Sequence, residues 1–401
     1  MPRALIIIQN LSVPTDRRVW LECQALVQAG WGVTVICPRG AGEAAHRVLD
    51  GVSIHTYAPP RPAAGLLGFL WEFTYCWLRA AALSVKVARN EGFDVLQACN
   101  PPDTYWLLGL GYRMFGKRFV YDQHDLCPEL LEVKLGRRGG PLHRVQVWLE
   151  RASYRTADHV IVTNDHGRML ANTRGGVPPE GVSIVRSAPD PDVMARGAAA
   201  PELRNGRENL VCYLGIMGAQ DGVDRLVNAI DHYVHTLGRH DTQFGLLGFG
   251  DCLDDLRRQV TRRGLDDHVT FTGKVAVPEI TRWLSTAALG VTPDPKNDFN
   301  DYATMNKTLE YMAYGLPVVS FDLVETRRSA EDAALYIDRD DDLAFAQGIA
   351  ALIDDPARRR LMGKIGRARI EDDLCWSVQA RTYVEVYEQL AGVSPAKVRT
   401  G

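Results

Sequence analysis

The sequence predicts an α/β protein made of two Rossmann-like domains facing across a central cleft. Its 401 residues exceed what one hydrophobic core usually organises. Short apolar runs alternate with helical segments along the chain, the pattern of parallel sheets covered by helices. One stretch near the middle, rich in proline, glycine and charge, interrupts the alternation. With 46 % hydrophobic and 24 % charged residues the composition is that of an ordinary globular protein.

The first domain, 1–190, opens with ALIIIQ at 4–9, a buried parallel strand. A polar loop, NLSVPTDRR, leads into a helix carrying Trp20, Leu21, Ala25 and Leu26, then Gly30 and the strand VTVICP. Further strands follow at FDVLQA (93–98), KRFVYD (117–122), DHVIVT (158–163) and GVSIVR (181–186). The most membrane-like stretch is GLLGFLWEFTYCWLRAAALSVKV (65–87). Glu72 and Arg79 interrupt it, so it reads as a long amphipathic helix rather than a span. The apolar run at the start is too short for a signal peptide.

Residues 191–208 read as a linker. A second alternation fills 209–375: NLVCYLG, TQFGLLGFG, HVTFTG, AALGVTP, LPVVSFD and AALYI, with helical sequence between them. Two open sheets so joined leave a cleft where the carboxyl ends of strands face each other. The last segment, 376–401, starts with the helical WSVQARTYVEVYEQLAG, which in one reading packs back on the first domain.

The net charge of -3 gives no general attraction for nucleic acid. Residues 1–200 hold 22 Lys and Arg against 18 Asp and Glu, and the remainder 24 against 31, so an anionic partner suits the first half better. The eight cysteines are scattered without a CxxC pair, as expected of reduced, buried thiols in a cytoplasmic protein. No GxSxG or HExxH occurs, and the acidic residues of TPDPKNDFND (292–301) lack EF-hand spacing, so no metal is expected.

NKTLEYMAYGLPVVSFD (306–322) carries the main chemical signal. A helix starting around Ala303–Asn306 points Met305, Leu309, Met312 and Ala313 into the sheet and sets Lys307, Glu310 and Tyr314 on another face; Gly315 stops it. Its free amides and Lys307 favour an anion, while Glu310 can accept hydrogen bonds from two adjacent hydroxyls, as on a ribose. The competing reading is a surface pair on an ordinary helix, worth about 0.2–0.5 kcal/mol. YLGIMGAQDGVD (213–224) brings Gly215, Gly218 and Gly222 beyond a strand, a weak phosphate signal without GxGxxG or a Walker lysine. The equivalent loop of the first domain has no glycine, which argues against a dinucleotide clamp. One of Arg17 and Arg18 faces a phosphate and the other is solvated. In YDQHDLCPEL (121–130), His124 lies beyond a strand's carboxyl end, where it can bond a hydroxyl or move a proton. Asp125 and Glu129 either orient it or belong to a short helix that Asp125 caps.

Taken together, NKTLEYMAYGLPVVSFD, YLGIMG, YDQHD and IQNLSVPTDRRVWLECQAL resemble the retaining, nucleotide-sugar-dependent glycosyltransferases of family 4, with the GT-B fold. The resemblance covers nearly the whole chain and extends to members from actinobacterial polysaccharide or surface-glycan pathways. It implies that Glu310 binds the donor ribose, with Asp301 as a further contact to ribose or sugar. Gly215, Gly218 and the amides of Thr304, Met305, Asn306 and Lys307 would meet the diphosphate, and His124 the transferred sugar. Asp16, Arg17, Arg18, Asp125, Lys274 and Lys296 are candidate acceptor or phosphate contacts. The chain departs from the family where Ile216 and Gln220 replace the usual phosphate-binding arginine and lysine, and where Tyr302 replaces the first of two glutamates; Lys307 is expected to supply the missing charge.

The implied reaction moves a sugar from a nucleoside-diphosphate sugar to a glycan, lipid-linked or small-molecule hydroxyl, with retention and without cofactor or obligatory metal. A nucleotide-sugar epimerase, a sugar phosphorylase and a non-catalytic nucleotide-sugar sensor are the alternatives. The Trp71–Trp77 stretch and the basic LGRRGGPLHR (135–144) either approach an anionic membrane from the cytoplasm or are core packing and a solvated loop.

Overall fold

The computed structural model describes residues 1–60, 65–136, 139–338 and 340–392. They form two compact units. The first comprises the described parts of Met1–Glu132, Arg137–Ser187 and Trp376–Gly401; the second is Ala188–Cys375 together with Val133–Gly136.

The sheet of the first unit holds β1 (Arg3–Ile7), β2 (Gly32–Pro38), β3 (His46–Leu49), β4 (Val52–Tyr57), β5 (Val95–Cys99), β6 (Arg118–Gln123), β7 (His159–Val162) and β8 (Val182–Ile184), in the order β3-β4-β2-β1-β5-β6-β7-β8. Only β3 runs antiparallel to its neighbour. The strands are apolar runs because both faces are covered. Ala4 and Ile6 pack with Val19 and Leu26 of helix Arg17–Gln28 and with Tyr383 and Tyr387 of helix Trp376–Ala391. Leu5 and Ile7 point the other way, to Cys76, Ala80 and Val87 of helix Gly65–Asn90 and to Tyr105 and Tyr154. Helix Trp376–Ala391 is thus part of the first unit, where the Tyr383 and Tyr387 hydroxyls donate to Gln97 Oε1 at 2.8 and 2.5 Å.

The hairpin β3–β4 is absent from the sequence reading. Its turn is Asp50-Gly51, both residues at positive φ (46° and 84°), the arrangement of a two-residue type I′ turn. That Asp-Gly pair was the available signal.

Among the described residues no helix is long and apolar enough to cross a membrane. Helix Gly65–Asn90 packs its inner face on the sheet and exposes Trp71, Leu78 and Val85, each seven residues after the last and so along one side of the helix. Helices Trp106–Arg113 and Pro141–Thr156 expose Leu107, Leu110, Val145 and Trp148 on the same covering layer. Within the basic segment 135–144, Arg137 and Arg138 lie outside the described residues.

The second unit holds β9 (Asn209–Ile216), β10 (Thr242–Phe249), β11 (Val269–Gly273), β12 (Leu289–Thr292), β13 (Val318–Phe321) and β14 (Ala334–Ile337). Their order is β11-β10-β9-β12-β13-β14 and every pairing is parallel. The chain therefore winds outward from β9 in one direction and then in the other, which opens a crevice beyond the carboxyl ends of β9 and β12.

The expected linker, 191–208, is corrected: this stretch is pinned to the second unit. Arg196 Nε donates to Tyr314 O at 2.7 Å, and the Gly197 and Ala200 amides donate to Ser285 Oγ at 2.9 Å and Thr286 Oγ1 at 2.8 Å. The chain divides earlier, between Ser187 and Ala188, and again between Cys375 and Trp376. A composition rich in proline and alanine marks the absence of strands and long helices, not the absence of contacts; the stretch holds only the short 3-10 turn Pro201–Arg204.

Candidate functional site

In the second unit the loops after β9 and β12 meet at the crevice. Gly222 has φ +65°, and a Cβ there would fall 2.2 Å from Pro293 O, so only glycine lets the two loops approach. Asn300, which is buried, donates from Nδ2 to Gln220 O at 3.0 Å and ties them further.

Helix Asn306–Ala313 starts from this junction. Met305 stands at its N-cap with no side-chain cap; in the first turn the Thr308 amide donates to Met305 O at 3.0 Å. Its other end is a Schellman stop: the Gly315 amide donates to Met312 O and the Leu316 amide to Tyr311 O, with Gly315 at φ +62°. The helix has no solvent face, since all of Lys307–Ala313 is buried. Thus Lys307 and Glu310 are neither a surface pair nor an exposed polar side.

Lys307 has a buried partner that the sequence did not point to. Its ammonium does not wait unpaired for a phosphate; Nζ donates to both Asp294 oxygens, at 2.8 and 2.9 Å, with the lysine side chain 9 % and the aspartate 1 % exposed. It also lies 5.0 Å from the centre of the Tyr213 ring. Burial works against the lysine's charge, but Asp294 and then Asp221 outweigh it and raise its pKa. The Asp221 carboxyl is pushed up to about 6 by burial, partly opposed by Lys307 and assisted by Asp294.

The other expected donor contacts are gathered at the same end of this sheet. Gly215 lies against Lys307, whose Cε would be 3.3 Å from an added Cβ. The Gly218 amide is not free for a phosphate, because it donates to Asp221 Oδ2 at 2.9 Å. Thr304 Oγ1 donates to Glu325 Oε1 at 3.4 Å, and Glu310 is buried in the helix's second turn. The Asp301 carboxylate accepts from the Val324 amide at 3.4 Å and faces Lys296 at 3.7 Å, which makes it a loop anchor. Lys296 Nζ in turn donates to Asp322 O, and exposed Lys274 covers the Phe249 ring. Ile216 is half exposed, so the position of the family's arginine faces solvent with an apolar group.

A second constellation occupies the crevice of the first unit, where the order turns between β1 and β5. Asp16 caps helix Arg17–Gln28 by accepting from the Val19 amide at 3.0 Å, and Arg17 is exposed. Arg18 is buried and ion-paired with Glu22 at 3.0 Å and Asp122 at 2.9 Å. It is therefore not a phosphate contact in this structure. His124 Nε2 bonds Asp122 Oδ2 at 2.7 Å, and Gln97 Nε2 donates to both Glu22 and Asp122. The His124 and Asp125 amides both donate to Asn100 Oδ1, which holds the strand-end turn; Glu129 pairs with Arg174 at 2.5 Å instead of orienting His124.

Electrostatically this cluster separates its acids. Burial alone would raise Asp122, but Arg18 and His124 hold it well below the usual carboxylate range. Burial and the neighbouring Asp122 push Glu22 up to about 8, against the pull of Arg18. His124 is raised: burial opposes its charge and Asp122 prevails. Glu22, Cys99, Asp122 and His124 have atoms close enough to hold an ion, yet the Arg18 guanidinium already sits between the Glu22 carboxyl and the Asp122 carboxylate as a fixed cation.

The sequence reading missed Glu22, Asn100, Asp122 and Asp221. Two signals were present: Glu22 lies one helical turn after Arg18, and Asp122 two residues before His124 on the same strand face.

Two outcomes follow from these pairs. Replacing Lys307 by Met leaves Asp294 buried without its cation and should lower stability by about 3–5 kcal/mol, whereas Lys307→Met with Asp294→Leu should recover most of the loss. Denaturant unfolding measures both, and a double variant as unstable as the single one contradicts the pair. In the first unit, folded Glu22 keeps a proton that the unfolded chain gives up. Stability is then lost as pH rises from the ordinary 4.5 through about 8, and raised His124 adds the same sign. Glu22→Gln should flatten this fall in thermal unfolding between pH 5 and 9; an unaltered slope counts against the assignment.

Comparisons agree with this geometry. Residues 15–187 match the family "Glycosyl transferase 4-like domain" and residues 208–355 the family "Glycosyl transferases group 1". The chain is 28 % identical over 226 residues to an alpha-D-kanosaminyltransferase of Streptomyces kanamyceticus, covering 54 % of this chain and 56 % of that one. It is also 28 % identical over 213 residues to a GDP-mannose-dependent alpha-(1-6)-phosphatidylinositol monomannoside mannosyltransferase of Mycolicibacterium smegmatis, covering 52 % and 54 %. The chain thus spans little more than half the length of these relatives. Sucrose-phosphate synthase from Thermosynechococcus elongatus superposes with a TM-score of 0.76 at 21 % identity, over 98 % of this chain and 100 % of that one, a likeness of fold. With both units matched in this order, the chain belongs to the family 4 glycosyltransferases and has the GT-B fold.

Proposed function

We propose that the protein transfers a sugar, with retention of its anomeric configuration, from a nucleoside-diphosphate sugar to a hydroxyl of a glycan, lipid-linked or small-molecule acceptor. The observation that carries this reading is the uncapped start of helix Asn306–Ala313 in the crevice of the second unit, with Lys307 and Glu310 one turn apart inside it. The amides from Thr304 to Lys307 receive the diphosphate, and Glu310 accepts from the ribose hydroxyls. Lys307 is held in place by Asp294 and keeps one N–H for the leaving group.

The enzyme's task is to stabilise the charge that grows on the leaving diphosphate. The acceptor hydroxyl arrives on the face that the diphosphate leaves, and the diphosphate takes its proton. No protein nucleophile is invoked. With its Nε2 on Asp122, His124 has Nδ1 left for the transferred sugar, as a hydrogen-bonding and electrostatic group. No obligatory metal is part of the proposal.

We further read the exposed Trp71, Leu78, Val85 and Trp148 as a surface for peripheral contact with the cytoplasmic membrane. Sedimentation with phosphatidylglycerol vesicles should fall in Trp71→Ser/Trp148→Ser; equal sedimentation of variant and parent removes the membrane from the account.

The transfer itself is tested with a panel of nucleotide sugars and acceptors, scoring the mass and anomeric configuration of the product. Turnover without acceptor would indicate an epimerase, turnover requiring phosphate a phosphorylase, and binding without turnover a sensor. In the verified reaction, Glu310→Gln should weaken nucleoside diphosphate binding by about 1–3 kcal/mol in calorimetry. His124→Ala should cut turnover about a hundredfold, roughly 2.7 kcal/mol, while leaving that binding intact. Full turnover by His124→Ala, or unchanged binding by Glu310→Gln, excludes the respective role.

A further inference from the structure

A cavity of about 930 Å³ opens in the second unit at the opposite edge of the sheet from the nucleotide loops. Its wall includes Asn209 and Leu210 at the start of β9, Ala288 just before β12 and Pro317 just before β13. In a parallel sheet these amino ends lie a full strand length from the carboxyl ends.

The wall is strongly cationic: Arg196, Arg204, Arg359, Arg360, Lys364 and Arg367 against only Glu208 and Glu371. Three of the arginines are accounted for by the fold. Arg196 donates to Tyr314 O, Arg359 to the Leu352 and Ile353 carbonyls, and Arg367 to Ala313 O and Met194 O, so each closes the carboxyl end of a helix or anchors the 191–208 stretch. Arg367 also neutralises Glu371 at 2.5 Å. The side chains of Arg204, Arg360 and Lys364 make no hydrogen bond or ion pair among the described residues, and Arg204 Nε is buried without a partner. A buried guanidinium nitrogen without an acceptor is costly unless a ligand supplies one. The nearby start of helix Pro356–Arg369 is already capped by Asp355, so the side chains set the preference.

We propose that this cavity binds a phosphorylated organic anion, with its phosphoryl oxygens on Arg204, Arg360 and Lys364. A phosphoryl group brings the multiple acceptors and at least two charges that the unneutralised cations require. Leu210, Ala195, Ala199 and Pro356 form an apolar flank for the organic portion, and the volume suits a small molecule. The source is either a soluble phosphate ester or a phospholipid headgroup, which share this chemistry. The site is separate from the proposed donor site and does not rest on the transferase reading.

The test is calorimetric titration of the full chain with inorganic pyrophosphate, glucose 6-phosphate and short-chain, monomeric phosphatidic acid. Each titration is made with and without saturating UDP or GDP. The expected result is one phosphate-dependent site per chain that survives the nucleotide and weakens at least tenfold in Arg360→Gln/Lys364→Gln. Arg360→Lys/Lys364→Arg should retain it. Both positions are exposed, and the melting temperature and nucleotide affinity should not change. Binding of the phosphatidic acid alone assigns the headgroup, and binding of the soluble esters assigns the free metabolite class; either supports the site. No binding by any probe, binding abolished by nucleotide, or equal binding by parent and Gln variant overturns it.

Discussion

Lys307 reaches back to Asp294 through an interior that excludes water, and the geometry of the second unit's crevice depends on that contact. The aspartate belongs to the loop after β12 and the lysine to the helix that the loop introduces, so their attraction folds thirteen residues of irregular chain into a fixed turn. Neither charge can be buried alone; together they permit an uncapped helix start to stand at the end of an otherwise apolar sheet. Gly222 and Asn300 then bring the β9 loop against the same turn. A site built this way has little freedom to rearrange around a ligand, which is what stabilising a leaving diphosphate demands.

The first unit solves a related problem with more groups. Arg18 is the fixed cation around which Asp122, Glu22 and His124 are arranged, and the two tyrosines of the last helix reach the network through Gln97. That helix follows the second unit in sequence but completes the core of the first. His124 is oriented from behind by a carboxylate that Arg18 keeps ionised, so its ring carries a set direction before any substrate arrives.

What could be read from sequence divides along physical lines. Parallel strands buried on both faces leave continuous apolar runs, and these stood out at ALIIIQ, VTVICP and LPVVSFD. Gly315 marked its helix end because a left-handed residue is needed there. The edge hairpin β3–β4 was missed because HRVL is half polar and only Asp50-Gly51 announced it. The positions of Lys307, Glu310 and His124 were evident, but not their partners. Arg18 and Asp122 are 104 residues apart, and nothing local to either predicts their meeting. A cation near a phosphate-like loop reads as a ligand for it, whereas Arg18 is held by buried acids and Lys307 spends two of its three N–H groups on Asp294. Burial, which a single sequence does not reveal, decided between the two.

Hydrogen exchange of the full chain, with and without saturating UDP or GDP, measures the central claim that a nucleoside diphosphate is received at the Lys307–Asp294 turn. The account predicts slowed exchange in Met217–Gly222 and Thr304–Glu310 for whichever nucleotide binds, with the amides around Arg18 and Gln97 unaffected. Protection confined to the first unit, or binding that leaves both second-unit segments exchanging at their original rates, would contradict it.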